Sequence, residues 1–322
     1  MRKLFSFFFI CSHLNANAQV KWENVDSLYE PLPQGFHVYK TTTQVDGKPN
    51  IAYYAEADLS RKNLVFSADT SWQRRLTPLE FYRKGSEMSN SFRFPVLVVN
   101  TTFFSFATNQ NLNVVIKNSK LLAHNVHSVP ARGKDTFTYR HPYTGAIGIT
   151  KRGKADIAWI FTDSAGRRAF ASQEPVKLVR DSIKLHSKKD ALKASSFRKW
   201  KMKTAVGGGP VLIQNGEIMI TNNEEWKFAG NAVKDKHPRT AMGYTANGKL
   251  IIMVVEGRHP GTAEGGSLTQ LAQMLKDIGC EEALNLDGGG SSCMLINGKE
   301  TIRVSDANGQ RPVPAVFMIM TQ

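Results

Sequence analysis

Two carboxylates in this 322-residue chain stand where apolar runs break off. The run 250–255 stops at Glu256-Gly257-Arg258, and the run 283–286 stops at Asp287-Gly288-Gly289-Gly290-Ser291-Ser292. A pair of carboxyl groups facing one site is the minimum kit for cleaving a glycosidic bond: one protonates or stabilises the leaving oxygen, and the other acts as nucleophile or activates water. An acid before glycine also serves as an ordinary turn cap. What sets Asp287 apart is the run behind it, because three successive glycines raise the entropic cost of folding and pack no side chain. Such a run brings backbone N–H groups against an oxyanion or a sugar with no Cβ in the way.

The feature recurs at Gly207-Gly208-Gly209-Pro210, and a helix opening at Ser267 behind Gly265-Gly266 offers its free N–H groups as a third anion position. Arg239, within His237-Pro238-Arg239-Thr240, and Arg258 carry guanidinium forks that match phosphate oxygens; the plainer reading of each is a surface salt bridge. The run 96–99 ends in the same manner at Asn100-Thr101-Thr102-Phe103-Phe104. Loops at strand ends are where a rigid sheet displays reactive groups. Walker, dinucleotide, GxSxG and HExxH patterns are absent from the sequence, which gives no support to nucleotide, serine-hydrolase or zinc-peptidase chemistry.

The elements that must position these groups follow from turn and periodicity signals. Asn215-Gly216, Asn247-Gly248 and Asn297-Gly298 each separate two apolar runs and predict hairpins, with weaker versions at Asn118-Ser119 and Arg152-Gly153. Leu268, Leu271, Ala272, Leu275 and Ile278 share one helical face, Ser267 with Gln270 makes a capping box, and Gly279 suits the C′ position. Strand, helix and strand over 250–286 suit a crossover that leaves the two strands parallel. As parallel neighbours they would bring Glu256 and Asp287 out at one sheet edge. Further strands are expected near 35–42, 50–58 and 64–68, with a short helix at 77–83. The predicted class is α+β: a mixed, largely antiparallel sheet with several hairpins and a few packed helices, including one strand-helix-strand crossover.

With 41% hydrophobic and 21% charged residues and a mean hydropathy of −0.31, the composition excludes disorder, collagen and a multi-span membrane protein. Residues 1–18 read as a signal peptide: Arg2 and Lys3, a short apolar stretch from Leu4 to Cys11, then Ala16-Asn17-Ala18. The apolar stretch is too short to span a membrane, and the mature chain is expected to begin at Gln19 in the periplasm or outside the cell. Losing Arg2 and Lys3 lowers the formal net charge from +15 to +13. Residues 180–203 hold nine Lys or Arg against Asp181 and Asp190. Such a cluster attracts phosphate-bearing polymers or an anionic membrane, or simply solvates an insertion. Solvation is preferred and no nucleic acid is expected, since Phe197 and Trp200 alone make no stacking ladder. Of the mature cysteines, Cys280 and Cys293 fit a bridge or two buried thiols equally.

Taken together, His237 to Gly243, Val254-Val255-Glu256-Gly257-Arg258, the helix, and Ala283 to Ser292 resemble the C-terminal core of the phosphodiester glycosidase family. The resemblance runs from about residue 96 to the C-terminus. It divides the chain into the leader 1–18, a β-rich extension 19–95 packed on the main body, and a phosphodiester glycosidase domain 96–322. It implies cleavage between an anomeric carbon and the phosphate of a sugar-1-phosphodiester in a glycan. Asp287, Glu256 and Arg239 would be catalytic, and Asn100, Gly208, Gly209, Arg258, Gly288, Gly289 and Ser291 would bind substrate. This chain departs from the family in having Thr101-Thr102 where small residues are common and Glu256 where Asp is frequent. No cofactor is expected; a divalent cation bridging Asp287 and phosphate would find no dedicated cage in the sequence. The rival reading is a non-catalytic module that binds phosphosugar without turnover. Oligomeric state is not legible.

Overall fold

Asn-Gly turns set the sheet registers. Asn215 and Gly216 take φ of 51° and 74°, Asn297 and Gly298 49° and 77°, and Asn118 and Ser119 50° and 63°, so each pair supplies the two left-handed residues of a tight hairpin. At 247–248 only Gly248 is left-handed, at 80°, and the loop is one residue longer: Gly248 N–H bonds Thr245 O at 3.0 Å. The computed structural model describes residues 19–322 apart from 73, 88–93, 132–135 and 195. The expected leader, 1–18, lies outside the described residues.

The strands form sheets of eight, seven, five and three. The eight-stranded sheet runs from Glu23–Asn24 through Phe36–Thr41, Ala52–Asp58, Lys249–Val255, Arg239–Thr245, Cys280–Asn285 and Val211–Gln214 to Glu217–Ile218. The seven-stranded sheet is built on Thr144–Ile149, Ala155–Asp163, Arg168–Ser172 and Thr204–Gly207. In the five-stranded sheet, Pro95–Asn100 lies between Met294–Ile296 and Ala315–Thr321, with Leu64–Thr70 at the edge. All these pairings are antiparallel, and the fold is α+β with β dominant. Ala52–Asp58 is paired on both sides, so the N-terminal strands are knit into the body.

The crossover helix, Leu268–Asp277, carries the expected capping box and buries Leu268, Leu271, Ala272, Met274 and Leu275 against the eight-stranded sheet. Gly279 closes it at a φ of 87°. The strands it joins, Lys249–Val255 and Cys280–Asn285, run parallel, but they are not neighbours. Arg239–Thr245 lies between them, antiparallel to both. The short hairpin to Lys249–Val255 costs little loop entropy and claims the inner position, so the crossover skips one strand. Pro78–Glu87 covers the five-stranded sheet with Phe81, opened by reciprocal Thr77–Glu80 bonds of 2.7 and 3.2 Å.

The largest core cluster, with Phe36, Tyr143, Trp159 and Phe317, draws on the eight-, seven- and five-stranded sheets. Cys280 and Cys293 are both free, buried in separate clusters, and not bridged. Among the described residues, no helix is long and apolar enough to cross a membrane.

Candidate active site

The chain crosses between sheets at each glycine run. Gly207 ends a strand of the seven-stranded sheet and Val211 opens one in the eight-stranded sheet; Asn285 ends a strand of the eight-stranded sheet, and Met294 opens one in the five-stranded sheet. Asp287 heads the second crossing. Its N–H bonds Thr101 O at 2.8 Å, and its carbonyl accepts the Asn100 amide at 2.6 Å. Asn100, fully buried, also accepts from the Thr240 hydroxyl at 2.9 Å and Cys293 N–H at 3.1 Å. Asn100 is therefore a strut that ties the ends of three strands to the Asp287 loop.

The Asp287 side chain is partly exposed and surrounded by donors. Burial pushes its carboxyl up to about 6 against the opposing pull of the Ser291 hydroxyl, the Lys227 ammonium, the Arg311 guanidinium and the Gly288 N–H. Buried Ser291 Oγ has no other partner of ordinary hydrogen-bond geometry, and neither have buried Thr101 Oγ1 and Asn285 Oδ1. Lys227 lies 3.8 Å above the Phe103 ring, and burial, against the pull of Glu225 and Asp287, draws its ammonium down to about 8.

The glycines behind Asp287 make a floor. A Cβ on Gly289 would stand 3.0 Å from Arg258 Nη2, and one on Gly290 would fall inside the Arg311–Asp306 pair. That pair is bidentate, at 2.7 and 2.8 Å. Arg258 is exposed and held at a φ of 64°, an uncommon conformation for a side chain of this size. Two guanidinium groups thus lie on the glycine floor, with the Lys227 ammonium within electrostatic reach of Asp287.

The other sequence candidates are distributed differently. Arg239 is buried and spends three donors on carbonyls: Nε on Gly266 at 2.8 Å, and Nη2 on Asp235 at 2.8 Å and Ala232 at 3.2 Å. Only Nη1 remains for a ligand. Burial, opposed by Asp235 and aided by Arg258, draws its pKa down to about 10. Glu256 accepts the Arg303 N–H at 3.0 Å and stands 4.0 Å from His259 Nε2. Gly207, Gly208 and Gly209 give their N–H groups to Val114, Gly145 and Asn285 carbonyls at 2.7, 2.9 and 2.8 Å, so this run offers no free donors. Thr102 bonds Asn111, while the neighbouring Thr101 hydroxyl stays unpartnered.

Lys227 and Arg311 are absent from the sequence candidates. Neither sits in a motif; only the folded chain brings the 225–228 and 306–311 loops to Asp287. Chemically, the cluster offers one carboxylate with a raised pKa beside three cations, an arrangement that accepts an anion next to a centre developing positive charge.

Fold and site together define a β-rich scaffold with a carboxylate and an anion cradle at a sheet junction. The chain belongs to the phosphodiester glycosidase family, whose sequence profile matches residues 93–320. It is similar to the bovine N-acetylglucosamine-1-phosphodiester alpha-N-acetylglucosaminidase, 34% identical over 95 residues, and to the Bacillus subtilis prophage-derived protein YomE, 38% identical over 71 residues. The matches cover 27% and 22% of this chain but only 18% and 11% of those relatives. The zebrafish N-acetylglucosamine-1-phosphodiester alpha-N-acetylglucosaminidase catalytic domain superposes over 94% of this chain and 88% of its own length, with a TM-score of 0.57 and 19% identity. A Synechocystis protein superposes over 94% of this chain and 68% of its own length, at 0.59 and 14%.

Proposed function

We propose that this protein hydrolyses the bond between the anomeric carbon and phosphate of a sugar-1-phosphodiester, an N-acetylglucosamine-1-phosphodiester in a glycan being the substrate that the family suggests. The observation that carries the reading is Asp287, its carboxyl raised toward neutrality, beside Arg258 and Arg311 lying on Gly289 and Gly290. The phosphodiester occupies the cationic side. Arg258 and Lys227 bind its oxygens, and Arg311, fixed by Asp306, adds charge. The sugar lies against the Asp287 carboxylate.

As the C–O bond to phosphate lengthens, positive charge grows at the anomeric carbon and negative charge on the departing phosphate. The Asp287 carboxylate stabilises the first and the three cations the second, so the preorganised charges match the transition state better than the ground state. Water adds to the anomeric carbon as the bond to phosphate breaks, giving free sugar and a phosphomonoester, with the water's proton leaving to solvent; the departing phosphate needs little protonation, which relieves the site of a strong general acid. Glu256 and Arg239 act as positioning residues: Glu256 precedes the strained Arg258 turn and pins it to Arg303, and Arg239 clamps the 232–235 loop.

The test is incubation with a sugar-1-phosphodiester and measurement of released reducing sugar. Turnover that disappears in Asp287→Asn supports the reading; tight binding of the diester with no sugar released establishes the phosphosugar-binding module instead. We further place the protein outside the cytoplasm. N-terminal sequencing from its natural host should begin at Gln19, and an intact Met1 overturns export.

A further inference from the structure

The seven-stranded sheet carries its bulk on one face. Ile147, Ile149, Ile157, Trp159, Phe161 and Phe170 enter the main core. The alternate positions are mostly small: Ala146, Gly148, Ala158, Ala169 and Ala171. Trp200 and Met202 cross this shallow outer face, so close over Gly148 that a Cβ there would meet Met202 Cγ at 2.5 Å and Trp200 at 2.8 Å. Beside them a cavity of about 540 Å³ stays open, its floor formed by Ile116, Leu121, Ala169, Trp200 and Met202.

The rim is cationic throughout. Lys151, Arg152, Arg167, Arg168, Lys199 and Lys201 all line the cavity, all are exposed, and no acid lines it with them. Among the described residues none of the six forms an ion pair. Lys199 and Lys201 belong to the basic segment 180–203, for which the proposed reaction has no use. A second hollow of about 320 Å³ continues past Lys199 and Trp200 to Arg198.

Six like charges without a counter-ion repel one another, and the cavity they ring offers only apolar side chains beneath, Leu121 partly exposed and Ile116, Ala169, Trp200 and Met202 buried. One ligand matches both rim and floor: an anion with an apolar tail. We propose that this cavity takes a lipid from an anionic bilayer, its acyl chain on the Leu121–Trp200 floor and its phosphate in the rim, and so docks the protein on a membrane surface. The rim selects an anionic surface over an uncharged apolar partner. The floor selects a lipid over a soluble polyanion, which would need the rim alone. This inference does not depend on the reaction proposed above.

The test is co-sedimentation of the whole chain with vesicles of phosphatidylcholine, with and without phosphatidylglycerol. Binding should be at least tenfold tighter with phosphatidylglycerol. Replacing Lys199 and Lys201 together by Ser should weaken it about 25-fold, from roughly fivefold per cation near an anionic surface. Leu121→Gln keeps every charge and should still weaken binding severalfold at the same salt. Brominated acyl chains should quench a fluorescence component of the unmodified protein, and the conservative Trp200→Phe should remove that component. Equal binding to both vesicle types overturns the proposal. So does undiminished binding of Leu121→Gln with no Trp200 quenching, which would leave a surface for polyanions.

Discussion

Two runs of three glycines occupy equivalent places, each where the chain passes from one sheet to another, yet they do different work. At 207 and 208 the neighbours are mostly backbone: a Cβ on Gly208 would fall inside Asn285 O and one on Gly207 would stand 3.0 Å from Val114 N, whereas one on Gly209 would meet the Glu225 carboxylate at 2.2 Å. Around 289–290 the neighbours are the guanidinium groups of Arg258 and Arg311. Gly207 and Gly208 let strands meet, as Gly288 does against Pro238 O, whereas Gly289 and Gly290 let guanidinium groups lie flat beside a carboxylate. A glycine run marks a close approach, and only the approaching group tells whether the approach serves architecture or chemistry.

The comparison breaks most severely at Asp287. Asp287→Asn keeps the size and most hydrogen bonds, so the fold should persist while kcat falls on the order of 10²-fold or more, as when one electrostatic stabiliser is removed. A folded variant with near-normal kcat refutes the assignment. Stability supplies a separate check. Because the folded carboxyl is raised to about 6, the charged form is disfavoured in the native state. Its contribution is favourable at acid pH and is lost as pH rises through 6. The variant should therefore unfold at higher temperature than the parent at pH 8, with the difference vanishing below pH 4.

Next in size is the structural run. Gly208→Ala forces a methyl against Asn285 O and Leu286, and should cost about 1–3 kcal/mol by overpacking, read as a lower Tm. Gly289→Ala costs about 1 kcal/mol for its φ of 62°, but its Cβ meets the flexible end of Arg258. It should raise KM for the diester several-fold with little change in Tm. Equal Tm losses in the two variants would erase the distinction between the runs.

Much of this was legible in the chain. Asn-Gly pairs announced the hairpins because both positions need left-handed φ, and the helix was written in its face and capping box. Asp287 and its glycines stood out as a costly run needing a reason. The skipped strand was not legible, since no local signal says whether a hairpin partner inserts beneath a crossover. Sequence shows the Arg239 guanidinium but not the carbonyls of Gly266, Asp235 and Ala232 that occupy three of its donors and leave Nη1. Lys227 and Arg311 carry no motif. Only folding sets their distance to Asp287.

The smallest expected effect isolates that distance. If the rate requires an Asp287 carboxylate, kcat/KM rises with pH through about 6; if it also requires the Lys227 ammonium, it falls again through about 8. Lys227→Met removes the cation that favours the Asp287 carboxylate, so the acid limb should move to higher pH by a fraction of a unit, and the alkaline limb should vanish. Lys227→Arg keeps a charge that stays protonated, so its acid limb should remain near that of the parent while the alkaline limb is again lost. A merely structural lysine would lower the whole profile without moving either limb. A parent profile flat between pH 5 and 9 would show that neither group titrates in the rate-determining state, and would leave Arg258 and Arg311 as the cations that matter.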